Sequence, residues 1–220
     1  MPEIIKMAED AARRLHEKVP YGKGSNMYAQ VQATAQEIFA NVNSNERSFL
    51  FGIALLHKSR GKKRIIADQE PLSDSYIERY FSEAGVKIIR ELASEPDDIA
   101  RREGESDYDY QMRDAQAKAE WAKGLSSGAK KILLAEKLAN FKTSLENPNP
   151  KWNPEKHATY YISRMTVAEA IKDTDADTKR MYNNCLHRMK EGLNNLCVPV
   201  PSRYAEKFPF NIFMGKGSRG

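Results

Sequence analysis

The chain has 220 residues, 40% hydrophobic and 30% charged, with 12 Gly and 10 Pro, a composition that suits one domain with a sizeable core and excludes wholesale disorder. Its longest apolar run, residues 49–56, falls far short of the roughly 20 residues that span a bilayer, and the charged N-terminus lacks the apolar stretch of a secretory signal; a cytoplasmic protein with no membrane partner is expected. A net charge of +5 is compatible with an anionic ligand, while nucleic acid is not expected because no glycine-rich aromatic motif, zinc finger or basic heptad helix is present.

Helix-period patterns dominate, and no pair of alternating runs joined by Asn-Gly or Asp-Gly suggests a hairpin. In chain order the spacing predicts helices over 2–18, 26–41, 46–57, 74–82, 84–95, 107–123, 128–143, 154–172 and 175–192. The fold class is therefore all-α, a helical bundle of about nine helices. Ser126 or Ser127 can cap the helix through KKILLAEKLANF, Asn153 can cap the next with Pro154 in its first turn, and Thr174 with Asp177 resembles a capping box. Breaks at 19–26, 58–64, 94–98 and 146–154 are rich in Pro, Gly, Asn or charge, and none is long enough to separate domains. One domain is expected over 1–196. From 197 to 220 the prolines and aromatic residues predict an irregular, extended tail, a segment through which a protein partner could be met. Cys185 and Cys197 are too few for a disulfide scaffold and read as reduced thiols.

Taken one at a time, the functional side chains say little, and His57 at the end of an apolar helix is most often a core histidine. Order and spacing say more. The segment FGIALLHKSRG (51–61) resembles the alanine-leucine-leucine-His-Asp signature of HD-domain phosphohydrolases, and LSDSYIERYFSEAGVKIIREL (72–92) resembles the helix pair that follows it in RelA/SpoT hydrolase domains. LSSGAKKILLAEKLANFKTS (125–144) is similar to the same family's Lys-Leu-Ala-Asp stretch with its downstream Asn. NPNPKWNPEKHATYYISRMTVAEAI (147–171) resembles the closing helix of the small stand-alone alarmone hydrolases. Together these segments make residues 8–190 resemble a RelA/SpoT-type (p)ppGpp hydrolase domain.

The resemblance implies a divalent metal, usually manganese, that activates water against a phosphate. It assigns His57 and Glu136 as the surviving metal ligands and catalytic residues, and it requires the fold to bring them together across about 80 residues of sequence. The other positions depart from the pattern. Lys58 stands where the doublet Asp is expected, Val31 or Gln32 where an upstream His is expected, and Gly61 and Lys62 where an acidic pair follows the doublet; His16 matches a different family histidine. On the ligand side the resemblance carries over Asn140 and Thr143 near sugar and phosphates, and Arg13 and Lys23 for guanine and phosphate. The run KSRGKKR adds Lys58, Arg60 and Lys62, cations suited to a polyphosphate, so the cleft beside His57 is expected to be electropositive. Tyr160 and Tyr161 read as core and rim packing. Two readings stand open: a metal-dependent nucleotide phosphohydrolase acting on (p)ppGpp or a related phosphorylated nucleotide, a guanine nucleotide favoured, or an inactive pseudo-hydrolase serving as a nucleotide-binding or protein-interaction module. In either, a bound metal is expected to be weak or absent.

Overall fold

Two segments of this sequence are apolar on nearly every face, and such helices are stable only where other elements surround them. The computed structural model describes residues 2–21, 25–60 and 70–195. In order these form α1 (Pro2–His16), β1 (Pro20–Tyr21), β2 (Ser25–Asn26), α2 (Met27–Asn41), α3 (Ser44–Leu56), α4 (Asp74–Ala93), α5 (Asp107–Lys123), α6 (Ser127–Glu146), α7 (Pro154–Ile171) and α8 (Ala176–Asn195). The all-α expectation holds. Helix α6 buries Ile132, Leu133, Leu134, Leu138 and Phe141 around its whole circumference, with α2, α3, α4, α7 and α8 packed against it and α5 laid along α7. The second apolar segment, Ile53 to Leu56 at the end of α3, is fully buried. No helix among the described residues is long and apolar enough to cross a membrane.

Capping follows the sequence closely. Asn153 Oδ1 accepts from the Lys156 amide at 2.8 Å, and Ser126 Oγ accepts from the Ala129 amide at 3.4 Å. The box at α8 sits one residue later than expected: Asp175 and Thr178 exchange side-chain and backbone hydrogen bonds at 2.9 Å, and Thr174 instead closes the preceding turn by donating to the Ile171 carbonyl at 3.0 Å. At the same end of α6, the buried Lys131 is held by Glu46 at 2.6 Å and Asp175 at 3.1 Å, which answers the cost of a buried ammonium.

One expectation needs correction. A hairpin does exist: Pro20 pairs with Asn26 and Tyr21 with Ser25, strands of two residues that are too short to show alternation in the sequence. The helices expected at 74–82 and 84–95 are both present as the two halves of α4, which a non-helical turn at Ser82 kinks at the expected boundary. The tail from 197, with Cys197, lies outside the described residues. Cys185 is a free thiol buried in the core, and burial pushes its pKa up.

The kink has a cause. Phe81 is buried, and the rim of its ring presses on Gly52 of α3 and its Cβ approaches Gly85 so closely that a side chain at either glycine would collide. Turning the backbone at Ser82, with φ 55° and ψ 178°, lets Phe81 reach that slot. Only glycine adopts this region without strain. Ser82→Gly should therefore raise stability by about 1 kcal/mol, and Gly52→Ala should lower it by about 1–3 kcal/mol, both measured by denaturant unfolding; a destabilised Ser82→Gly would refute the strain.

Candidate functional site

The buried end of α3 delivers His57, and its orientation follows from one hydrogen bond. His57 Nδ1 lies 2.5 Å from the Ala54 carbonyl, which only accepts, so Nδ1 carries the proton and Nε2 of the neutral ring keeps its lone pair. Nε2 is buried without a hydrogen-bond partner and lies 3.8 Å from Glu136 Oε2. The fold thus brings His57 and Glu136 together, as the family pattern requires.

Lys58 changes what the pair can do. Its ammonium lies 3.0 Å from Glu136 Oε1 and 3.1 Å from Oε2, bridging both carboxylate oxygens. Burial would raise the Glu136 pKa, but the Lys58 charge, with the Lys137 charge behind it, outweighs burial and holds the carboxyl well below its usual range. For Lys58, burial favours the neutral amine, yet the charges of Glu136 and Glu95 together raise its pKa. One turn further along α6, Asn140 Oδ1 accepts from Gln30 Nε2 at 3.0 Å and from the Tyr21 hydroxyl at 3.1 Å. Burial and the Glu136 charge push the Tyr21 pKa up, so it remains a donor.

These residues floor a cleft of about 590 Å³ between the end of α4, α5, α6 and α7. Its cations are Lys58, Lys118, Lys137, Lys156 and Arg164, and its carboxylates are Glu95, Asp97, Asp98, Asp114 and Glu136, so the cleft is two-sided and not electropositive throughout. The acidic side, from the loop after α4 and from α5, binds Lys118 through Asp98 and Asp114 at 2.7 Å each. On the α6 and α7 side, Lys137, Lys156 and Arg164 have no ion-pair partner among the described residues. Burial lowers the Lys137 pKa; the Glu136 and Glu95 charges oppose the shift, and the smaller Arg164 and Lys58 charges add to it. The Arg164 guanidinium sits 3.9 Å over the Tyr160 ring and Lys156 lies 5.7 Å over Trp152; Arg164 Nε is buried without a partner.

Of the residues expected from sequence, His57, Lys58, Glu136 and Asn140 line this cleft. Arg60, Arg13 and Thr143 do not. Arg60 donates to the Leu72 carbonyl at 3.0 and 2.7 Å and pairs with Asp74, which ties the end of α3 to the start of α4. Arg13 stacks over Tyr28 at 5.1 Å. Thr143 is exposed beyond the cleft and donates to the Ala139 carbonyl at 3.0 Å. Lys23 and Lys62 lie outside the described residues. Val31 is core and Gln32 donates to Tyr28 at 3.0 Å; the α2 residues facing this region are Met27 and Gln30. His16 is buried away from the cleft. Tyr161 is core as expected, whereas Tyr160 lines the cleft.

The donors present do not fit a divalent cation. Two ligands, His57 and Glu136, face each other, and the carboxylate is already occupied by an ammonium. Among the described residues no group of three or more His, Cys, Asp or Glu side chains could hold a metal.

The all-α arrangement of the chain is a fold shared with a solved structure. The solved structure of a metazoan ortholog of SpoT, described as hydrolysing ppGpp and playing a role in starvation responses, matches 86% of this chain and 96% of its own at a TM-score of 0.57 and 18% identity. No family model and no curated protein sequence matches the chain.

The Lys58 pairing predicts a pH dependence. A carboxyl with a depressed folded pKa contributes stability above the unfolded-state value, about 4.3, and loses it as pH falls through the folded value. Glu136→Gln should destabilise the protein by about 2 kcal/mol at neutral pH, since it strands a largely buried ammonium. The difference from wild type, followed by urea unfolding, should shrink only below about pH 4; a difference constant to pH 2 would contradict the pairing.

Proposed function

We propose that the cleft binds a phosphorylated nucleotide of the (p)ppGpp type, a guanine nucleotide in preference to others, and holds it without metal-assisted turnover. The observation that carries this reading is the grouping of Lys137, Lys156 and Arg164, unpaired among the described residues, beside the Tyr160 and Trp152 rings and the Asn140 amide in one cleft. A polyphosphate is recognised by clustered cationic donors, with arginine offering its planar fork, and a base by ring faces on which it can stack. The ppGpp activity described for the structural neighbour supports the nucleotide class. The Lys58 ammonium on Glu136 supports binding over hydrolysis, because it takes the carboxylate that metal-activated water chemistry would use.

A second reading, a nucleotide phosphohydrolase, draws support from His57 and Glu136 standing 3.8 Å apart with Nε2 free to accept a proton.

Both tryptophans of the chain, Trp121 and Trp152, line the cleft, so intrinsic fluorescence reports occupancy. Titration with ppGpp, GDP, NADPH and inorganic phosphate, with and without manganese chloride, should show saturable quenching by ppGpp without metal. Arg164→Ala should weaken binding at least about tenfold, the loss of one charge-assisted contact. No binding at millimolar nucleotide would overturn the proposal, and release of pyrophosphate with manganese would establish the second reading in its place.

A further inference from the structure

We propose that the Lys58 ammonium is the resident cation of this site: it fills the place beside Glu136 that a divalent cation would need, so the cleft engages phosphate without metal and excludes metal while residue 58 is lysine. The donors that would attract a metal are present. His57 offers a buried Nε2 lone pair with no hydrogen-bond partner, and Glu136 offers a carboxylate 3.8 Å away, an imidazole and an oxygen ligand of the kind divalent metals take. Both carboxylate oxygens instead receive Lys58 Nζ, at 3.0 and 3.1 Å.

A metal ion entering would have to strip the carboxylate from Lys58 and leave an ammonium beside a double positive charge. Lys137 also lines this floor, adding a second like charge. Opposing charges of this kind at a few ångströms in a partly desolvated cleft exceed what two ligands return.

The same ammonium remains available to an anion. An ammonium has three N–H donors; one is hydrogen-bonded to Glu136 Oε2 with Oε1 at ion-pair distance, and a further donor has no partner among the described residues, while about a quarter of the Lys58 side-chain surface stays open. A phosphate oxygen arriving from the cleft meets that donor without displacing the Glu136 contact.

The phosphate half of this inference rests on the nucleotide-binding proposal; the metal half does not, and is tested with manganese chloride alone. Wild type, Lys58→Asp and Lys58→Asn are titrated by isothermal calorimetry and by the loss of the free manganese electron-spin signal. The expected result is no saturable binding to wild type at about 1 mM metal and at least tenfold tighter binding to Lys58→Asp, with a smaller gain for the neutral Asn variant. The gain should vanish when Glu136→Gln is added. Circular dichroism establishes which variants are folded, and either folded variant suffices. Saturable manganese binding by wild type that Glu136→Gln abolishes would overturn the proposal, as would folded Lys58 variants that bind manganese no better than wild type. In the phosphate arm, Lys58→Asn should weaken metal-free ppGpp binding at least threefold; unchanged affinity would remove Lys58 from the anion site. Failure of wild type itself to bind ppGpp would count against the nucleotide reading and leave the metal result standing.

Discussion

The middle of α6 is packed on most sides by other helices, and this constraint organises the site. Glu136 and Asn140 lie one turn apart in the stretch 132–141, whose buried residues are mostly Ile, Leu, Ala and Phe, so each must be satisfied by a group from another element. For Glu136 that group is Lys58, at the end of α3; for Asn140 it is Gln30 from α2 and Tyr21 from the hairpin. The polar floor of the cleft is where the core's unavoidable polar groups have been answered.

Two lysines on α6 show how differently the start and the middle of this helix are used. Lys131 is closed in by Glu46, Asp175 and Asp177, joining the starts of α3, α6 and α8. Lys137, less than two turns away, has no such partner among the described residues and lines the cleft with Arg164. The first arrangement satisfies a charge for the sake of the fold. The second leaves positive charge unspent where a ligand can reach it, with an acidic wall opposite that limits how far an anion can spread.

Much of this was legible in the sequence. The all-α class followed from periodicity, and the approach of His57 and Glu136 followed from the resemblance that four segments bear to a known hydrolase family. Lys137, Lys156, Tyr160 and Arg164 were missed as a group, although their spacing carried a signal: 156, 160, 163, 164 and 167 form one stripe of a helix, and all five line the cleft. Thr143 lies on the stripe of Glu136 and Asn140, but the helix has run past the cleft by then. Tyr21 and Gln30 could not be read, because they meet Asn140 across 119 and 110 residues and neither contact leaves a local pattern. Arg60 looked like part of a basic patch; its guanidinium closes a carbonyl at a helix junction, a use that composition cannot distinguish from ligand binding.

The hydrogen bonds to Asn140 bear on what the floor will admit. With Oδ1 saturated by Gln30 and Tyr21, the amide cannot flip without losing both, and its NH₂ group is what remains to face a visitor. Beside it stand an ammonium at Lys58, another at Lys137 and the guanidinium of Arg164, all of which only donate. This part of the floor is therefore rich in donors, which suit an incoming group with oxygen lone pairs, while the acceptors beside it are the His57 Nε2 lone pair, the Glu136 carboxylate and the acidic wall opposite. Selectivity of that kind is set by hydrogen-bond direction, and net charge would not reveal it.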